Sequence, residues 1–215
     1  YFSNFERISI GNQMFNYEEA FSRNIGWVTK EEQQKLRNTK VAIGGLGGVG
    51  GDHTIVLARL GIGNFHISDL DDYDVANFNR QAGANMSTLG KAKAAVMEET
   101  VRGINPEATI KNFDSGINED NLDEFLEGVD IYVDSLDIFV LEIRRKVFRR
   151  CYEKGIPTIT AAPMGMGTAF LVFMPGKMSF DEYFAIVDAA ANASEEERAK
   201  IFNDNIIRFV IGVSP

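Results

Sequence analysis

The stretch "VAIGGLGGVGG" at residues 41–51 decides the predicted fold of this chain. A short apolar run leads into it, and Gly45, Gly47 and Gly50 follow in the spacing G-x-G-x-x-G, directly before a segment with helical periodicity. Glycines at such a junction permit a tight turn and a close approach of the backbone to phosphate, and the N-terminus of the helix attracts an anion. The stretch therefore predicts a nucleotide-binding turn between a strand and a helix.

Strand-like and helix-like segments alternate along the rest of the chain. The patterns predict strands at 39–43, 64–70, 108–114, 129–136, 157–162 and 168–176. They predict helices at 49–61, 88–105, 118–128 and 139–155. Strands that alternate with helices over this length indicate the α/β class, with a doubly wound, mostly parallel Rossmann-like sheet and helices on both faces.

Three parts are expected along the chain. Residues 1–38 form an N-terminal helical arm, residues 39–176 the Rossmann-like nucleotide-binding domain, and residues 177–215 a C-terminal helical segment. We expect this last segment to be incomplete, because the closing strand and helix typical of such a domain do not follow the final residues "RFVIGVSP". The length of 215 residues suits one domain with such additions.

The composition limits the classes of partner. The chain is 45% hydrophobic and 25% charged, as in soluble globular proteins, and no apolar run approaches the roughly 18 residues of a membrane span, so no membrane partner is expected. A net charge of −9 disfavours nucleic acid as a partner but does not exclude tRNA. A single cysteine, Cys151, excludes an internal disulfide and predicts a cytoplasmic location. Its place on the apolar stripe of a helix predicts packing rather than catalysis.

Polar residues after the second predicted strand bear on which nucleotide is bound. Asp69 ends that strand, where a carboxylate can accept a ribose hydroxyl, in NAD-dependent dehydrogenases as well as in ATP-binding enzymes. A polar cluster follows, made of Asp71, Asn77, Arg80, Gln81 and Lys93. An arginine and a lysine suit a triphosphate, whose charge redistributes as a P–O bond breaks, whereas a nicotinamide ring needs an apolar slot. The cluster therefore favours ATP over NAD.

Six short motifs occur in a characteristic order. They are "GLGGVG" (45–50), "DLD" (69–71), "NFNRQ" (77–81), "LGKAK" (89–93), "INPEA" (104–108) and "DSLD" (134–137). This order resembles the ThiF/MoeB superfamily, which includes the ubiquitin-activating enzymes and the bacterial TcdA branch. The resemblance covers about residues 20–175 and implies that residues 39–176 are an ATP-binding adenylation domain.

The resemblance implies ATP-dependent activation of a carboxylate. In the family, a carboxylate oxygen attacks the α-phosphate of Mg·ATP, and an acyl-adenylate and pyrophosphate result. The nucleotide-binding residues carried over are Gly45, Gly47, Gly48, Gly50, Asp69, Asp71, Asn77, Arg80, Gln81 and Lys93. The catalytic ones are Arg80, Lys93, Asp137 and Arg23. Asp137 is the expected Mg²⁺ ligand, with Asp134 as a weaker substitute, although an aspartate there could instead cap the next helix.

The segment "AFSRNIGW" (20–27) resembles the family's N-terminal element. In homodimeric members the arginine of that element reaches the ATP of the other subunit. The resemblance therefore implies a homodimer in which Arg23 acts in trans.

Several functions stay open on the sequence. The leading one is an adenylyltransferase acting on a protein or peptide carboxylate, such as the C-terminus of a ubiquitin-like or sulfur-carrier protein. The alternatives are a TcdA-like ATP-dependent tRNA threonylcarbamoyladenosine dehydratase and an NAD-dependent Rossmann oxidoreductase. A non-catalytic partner subunit is disfavoured, because Arg80, Lys93 and Asp137 are all present. Outside these motifs, no role is assigned to His53 or His66, and the four arginines of the helix at 139–155 are expected to lie on its solvated face: Arg144, Arg145, Arg149 and Arg150.

Overall fold

The computed structural model describes residues 14–137, 140–184, 194–197, 200–201 and 204. Its centre is a six-stranded sheet in the order β3-β2-β1-β4-β5-β6. The strands are β1 (Lys40–Gly44), β2 (Asn64–Ser68), β3 (Thr109–Phe113), β4 (Ile131–Asp134), β5 (Thr158–Met164) and β6 (Gly167–Phe173). The first five strands are parallel, and β6 pairs antiparallel with β5 at one edge. The predicted mostly parallel α/β sheet is confirmed.

Helices cover both faces of the sheet, as predicted. They are α1 (Tyr17–Ala20), α2 (Lys30–Asn38), α3 (Gly50–Arg59), α4 (Lys93–Ile104), α5 (Leu122–Phe125), α6 (Leu141–Lys154) and α7 (Phe180–Tyr183). Alternate residues of β1 enter different cores, because successive side chains of a strand point to opposite faces. Val41 and Ile43 pack with the α3 and α4 side chains, and Ala42 packs with those of α5 and α6. A strand buried on both faces reads as a continuous apolar run, which explains the residues "VAI".

Two predicted helices are shorter in the structure. The helix predicted at 88–105 begins only at Lys93, because the preceding segment is tied to residues 71–73: Tyr73 N donates to Lys91 O, and Lys93 N donates to Asp71 O. The helix predicted at 118–128 is reduced to α5. Asn118 there forms a turn, its side chain accepting from the backbone of Asp120, rather than capping a helix.

The N-terminal arm packs against the C-terminal end of α3. The Tyr17 hydroxyl donates to the carbonyl of Gly61, and the Gln33 side chain donates to the carbonyl of Leu60. Helices α1 and α2 agree with the predicted helical arm, whose residues 1–13 lie outside the described part. The C-terminal segment is described at α7 and in a few later residues only. The domain boundaries therefore stay predictions.

The order of the strands places a crevice at the centre of the sheet. β1 lies between β2 and β4, and its crossover helix α3 leads to β2 on one side, while the chain reaches β4 on the other side only later. Ligands of open α/β sheets bind at the carboxyl ends of the strands where the order reverses in this way. The glycine turn that follows β1 lies at this point. No helix of the described part is long and apolar enough to cross a bilayer.

Candidate nucleotide site

The glycine turn connects β1 to α3 in a conformation that requires glycine. Gly45 has φ of +86°, and a Cβ atom there would lie 2.3 Å from the carbonyl oxygen of Ser135. A Cβ atom on Gly50 would lie 1.8 Å from the carbonyl oxygen of Gly45. The glycine turn thus packs closely against the backbone at the end of β4, and the N-terminus of α3 faces the crevice. The turn thus presents backbone N–H groups and the positive end of a ten-residue helix.

Asp69 lies beside the turn at the end of β2, as the sequence predicted. Its Oδ2 accepts a hydrogen bond of 2.7 Å from the backbone N–H of Leu46, inside the turn, and its Oδ1 accepts from Asp71 N. Each carboxylate oxygen can accept further hydrogen bonds. The carboxylate therefore braces the turn and can still receive a ribose hydroxyl, a role that stays a prediction.

Lys93 and Asp71 form an ion pair near this edge. Lys93 is the first residue of α4 and is only 5% exposed, and its Nζ lies 2.9 Å from Oδ2 of Asp71. The preceding loop is anchored by Tyr73, whose buried ring lies so close to Gly83 that a Cβ atom there would be 2.0 Å from its hydroxyl. Burial also raises the pKa of Tyr73 to about 12, so its hydroxyl stays neutral. The loop holds the lysine as a buried positive charge with one carboxylate partner.

The segment "NFNRQ" packs against the outer side of the glycine turn. A Cβ atom on Gly48 would lie 3.2 Å from the carbonyl oxygen of Arg80, and one on Gly47 would lie 3.6 Å from Nε2 of Gln81. The Gln81 side chain is buried, and its Oε1 finds no hydrogen-bond partner among the described residues. Arg80 is exposed and its guanidinium donates to Ala76 O. Arg80 and Gln81 therefore lie beside the turn, and their contact with a nucleotide stays a prediction.

Asn77 has a structural role in the loop after β2. Its Oδ1 accepts from the backbone N–H of Asp74, while the Asp74 side chain accepts from Ala76 N, so the two residues cap a short 3₁₀ helix, Val75–Asn77. This cap sets the position of Arg80 and Gln81, because the N–H groups of both donate to the carbonyl of Asn77. Direct contact between Asn77 and a nucleotide stays a prediction.

The end of β4 carries the two aspartates of the "DSLD" motif in different surroundings. Asp137 is exposed, whereas Asp134 is only 1% exposed and forms an ion pair with Arg144, with 3.0 Å between Nε and Oδ2. Although Oδ2 is the nearer oxygen, the Nε–H of Arg144 points toward Oδ1 and donates its hydrogen bond to that atom, at 3.3 Å. The Asp134 carboxylate faces Arg144 inside the molecule rather than solvent, and its role as the substitute ligand stays a prediction. Asp137 does not cap α6 directly, because that helix begins at Leu141.

The described residues fit a magnesium ion only together with a nucleotide. They contain no group of three or more His, Cys, Asp or Glu side chains that could hold a metal by themselves. Mg²⁺ is commonly bound by one or two carboxylates together with phosphate oxygens and water. Asp137, exposed two residues after the Ser135 that packs against the glycine turn, could supply one such carboxylate.

The arginines of α6 correct one prediction. Arg144 and Arg145 are not solvated. Arg144 is buried against Asp134. The guanidinium of Arg145 forms a bidentate ion pair with Asp181, which belongs to α7. Arg149 and Arg150 are more exposed and pair with Asp181 and Asp123. The buried residues of α6 recur every three or four positions: Leu141, Arg144, Val147, Phe148 and Cys151. This spacing was the signal that Arg144 lies on the inner face.

Arg23 is not brought together with the other predicted residues. It is exposed in a 3₁₀ turn, Ser22–Asn24, and the neighbouring Asn24 donates to the carbonyl of Leu60. Leu60 follows the last residue of α3, whereas the glycine turn precedes the first. Ten helical residues, or about 15 Å, separate the two ends. Arg23 therefore lies at the opposite end of α3 from the glycine turn of the same chain.

A model of the ThiF family matches residues 21–214 of the chain. The chain belongs to the ThiF family. A tRNA threonylcarbamoyladenosine dehydratase of Haemophilus influenzae is 34% identical over 159 residues, which are 74% of this chain and 60% of that protein. A molybdopterin-synthase adenylyltransferase of the same organism is 33% identical over 146 residues, 66% of this chain and 57% of that protein.

A solved structure agrees with this membership. Escherichia coli tRNA N6-threonylcarbamoyladenosine dehydratase, TcdA, in complex with ATP, superimposes with a TM-score of 0.63 at 30% identity and covers 66% of this chain and 58% of that chain. This ThiF-family chain spans 49–60% of the length of the curated tRNA threonylcarbamoyladenosine dehydratases that it matches.

Cys151 and the two histidines of this ThiF-family chain, His53 and His66, make contacts typical of structural rather than catalytic residues. Cys151 is fully buried, and burial raises the pKa of its thiol to about 12, so it stays protonated, in agreement with the packing role predicted. Buried His66 places Nδ1 2.7 Å from the carbonyl oxygen of Phe125. His53, on α3, lies 3.4 Å through its Nδ1 from the Ser135 hydroxyl. Burial lowers the pKa of both histidines, so both are neutral near pH 7.

Proposed function

We propose that this protein is an ATP- and Mg²⁺-dependent adenylyltransferase that activates a carboxylate. A carboxylate oxygen attacks the α-phosphorus, the bond from that phosphorus to the bridging oxygen breaks, and pyrophosphate leaves with the electron pair. The observation that carries the proposal is the convergence of three features on one edge of the sheet: the glycine turn after β1, the buried Lys93 at the start of α4, and Asp137 after β4.

The proposed roles follow from charge and position. The N–H groups of the turn and the N-terminus of α3 bind the phosphates, and Asp69 binds the ribose. Lys93 exchanges Asp71 for the α-phosphate, where negative charge accumulates in the transition state. Arg80 binds the departing pyrophosphate. Asp137 would hold the magnesium ion, which supplies neutralisation of phosphate charge when bound.

The substrate is proposed to be a protein or peptide carboxylate. The name of the molybdopterin-synthase adenylyltransferase, 33% identical, supports this class. The second candidate is a modified tRNA nucleoside, supported by the relative named tRNA threonylcarbamoyladenosine dehydratase at 34% identity. An NAD-dependent oxidoreductase is the weaker alternative, because a neighbour of the same family has been solved with ATP and because the site carries cations suited to a triphosphate.

A homodimer completes the proposal. Arg23 lies at the far end of α3 from its own glycine turn, so contact with a nucleotide requires the site of a second subunit. The surface around Arg23 is apolar enough for an interface: Trp27 is 93% exposed, and Ile25 and Leu60 are also exposed. The cytoplasmic location stays a prediction from the use of cysteine.

Pyrophosphate exchange tests the activity. We expect wild-type protein to incorporate labelled pyrophosphate into ATP only when Mg²⁺ and a suitable carboxylate are both present. One arm offers peptides and carrier proteins with free C-termini, and each has a C-terminally amidated control. The other arm offers tRNA that carries threonylcarbamoyladenosine, with unmodified tRNA as its control. If no carboxylate supports exchange, and NADH rather than ATP raises the Tm, the proposal is wrong.

A further inference from the structure

The buried ion pair of Asp134 and Arg144 joins the end of β4 to α6. Asp134 is the last residue of β4, and Arg144 is on the inner face of α6, one turn after its start. Both side chains are more than nine-tenths buried. The pair therefore joins a strand end and a helix on either side of the segment that carries Asp137.

Arg144 uses two different nitrogens in this contact. Its Nε donates to Oδ1 of Asp134 at 3.3 Å, and its Nη2 donates to the carbonyl oxygen of Leu136. The backbone N–H of Leu136 in turn donates to Oδ1 of Asp134 at 3.4 Å. Leu136 is thus bonded at both its N–H and its carbonyl. That carbonyl belongs to the peptide unit that leads into Asp137, so the direction in which Asp137 leaves the sheet is restrained.

Ser135 restrains the same segment from the other side. Its N–H donates to the carbonyl of Gly44, and its own carbonyl oxygen lies against Gly45. The segment is therefore held between the glycine turn above and the guanidinium below. A movement of the Leu136 backbone, to which Asp137 is attached, relative to the glycine turn would break at least one of these contacts.

Charge alone does not explain the pair. A buried ion pair is weak evidence for stability, since well-packed apolar residues often replace one at no cost. The planar guanidinium, however, offers several donors in a fixed fork, and here it connects a carboxylate with a carbonyl. A lysine could neutralise Asp134 but has no such fixed geometry. The arrangement points to positioning of the backbone.

We propose that Arg144, together with Asp134, is a positioning residue that directs Asp137 toward the metal and the phosphates of the bound nucleotide. The inference rests on the proposed function, because it assigns Asp137 to the metal. Residues that orient metal ligands typically contribute about 10–100-fold to metal affinity. Arg144 acts through the Leu136 peptide and touches neither ATP nor the metal.

The test measures metal binding without turnover. Mn²⁺ replaces Mg²⁺ as an electron-spin-resonance probe, and its dissociation constant is measured for the ATP complexes of the wild type and of Arg144→Lys. We expect Arg144→Lys to weaken Mn²⁺ binding about 10–100-fold, because the positive charge beside Asp134 remains but the second donor is lost. ATP binding in EDTA should not change. Arg145→Lys is the matched control, since the neighbouring residue pairs with Asp181 of α7 and should leave Mn²⁺ binding as in the wild type.

The outcomes are separable. Equal Mn²⁺ dissociation constants for Arg144→Lys and Arg145→Lys overturn the positioning role, whereas absence of Mn²⁺·ATP binding and of pyrophosphate exchange in the wild type overturns the proposed function itself. If Arg144→Lys does not fold, the double variant Asp134→Leu/Arg144→Met removes both charges together. It should show the same weakened Mn²⁺ binding with a Tm close to that of the wild type. Wild-type Mn²⁺ affinity in the folded double variant also overturns the inference.

Discussion

The Lys93 ammonium lies 2.9 Å from the Asp71 carboxylate, and the two partners differ sharply in exposure. The Lys93 side chain is 7% exposed and that of Asp71 is 58% exposed. A buried lysine requires a compensating negative charge, whereas a largely solvated aspartate does not depend on its partner. A phosphate can therefore replace Asp71 beside Lys93 while the displaced carboxylate stays hydrated. The Lys93 ammonium could therefore exchange its ion-pair partner Asp71 for a phosphate of a bound nucleotide.

Replacement of Lys93 should remove transition-state stabilisation. We expect Lys93→Ala to lower the rate of pyrophosphate exchange by about 100–1,000-fold, since one group that stabilises developing charge contributes this much. Lys91→Ala is the matched control, because Lys91 is exposed, stands two residues earlier and carries the same charge. Equal effects of the two substitutions would mean that general charge, rather than the position of Lys93, supports the reaction.

Two glycines of the turn should respond differently to alanine. At Gly50 the added methyl group would meet a backbone oxygen at 1.8 Å, and we expect Gly50→Ala to lower the free energy of unfolding by about 3 kcal/mol. At Gly47 the closest contact would be an ordinary 3.6 Å, so stability should stay within about 0.5 kcal/mol of the wild type. Gly47→Ala should nevertheless weaken ATP binding about 10-fold or more, because the methyl group obstructs the approach of phosphate. Urea unfolding and calorimetric ATP titration of both variants measure these differences, and normal ATP binding by Gly47→Ala would contradict the assignment.

Mixed variants should show whether Arg23 acts across a dimer. Arg23→Ala and Arg80→Ala are each expected to be inactive in pyrophosphate exchange. After subunit exchange, half of the dimers are mixed and each contains one intact site, so about a quarter of the wild-type activity should return. If Arg23 instead serves its own subunit, every site keeps a defect and the mixture stays inactive. Size-exclusion chromatography with light scattering checks that the dimer forms.

The stability of the protein should decrease in mild acid because of its histidines. Burial lowers the pKa of His66 below 6.5, so the folded state keeps this ring neutral while the unfolded chain binds a proton. Since the unfolded state then holds more protons, the free energy of unfolding falls as the pH is lowered from about 7 to about 5. His53 contributes in the same direction. The loss of unfolding free energy between pH 7 and pH 5 should be smaller in His66→Asn, which cannot take up a proton but whose amide can still donate to the carbonyl of Phe125. Chemical unfolding of both proteins at the two pH values measures the difference. Equal losses of stability in the wild type and His66→Asn would show that groups other than His66 cause the acid sensitivity.

Cys151 should be dispensable for catalysis. Its thiol is fully buried with a pKa of about 12, which leaves almost no reactive thiolate near neutral pH. We expect Cys151→Ala to keep pyrophosphate exchange within about twofold of the wild type and to lose about 1 kcal/mol of stability through a small cavity. Native protein should react with a thiol reagent only at the rate of unfolding. A fast reaction, or loss of activity without loss of fold, would indicate a catalytic thiol.

Local patterns in the sequence determined the main features of the fold. The apolar run of β1, the glycine spacing and the periodicity of α3 are properties of neighbouring residues, and the parallel sheet follows from the alternation of such segments. The boundaries of the helices at 93 and 122 could not be predicted, because they depend on hydrogen bonds of the preceding loops. The same local reasoning placed Asp69 at the end of a strand, beside the turn.

Tertiary structure alone decided how the charges are used. Arg144 and Asp134 are ten positions apart, and Lys93 and Asp71 twenty-two. Only the packing of α6 on β4, and of α4 beside the loop after β2, brings these partners together. The distance of Arg23 from its own site likewise depends on how the N-terminal arm packs on α3. The sequence by itself determined the family, the sheet and the list of candidate residues, because these depend on short patterns. Burial and pairing depend on contacts between distant segments, so the structure was needed to assign Arg144 to the inside of the molecule and to separate Asp134 from Asp137.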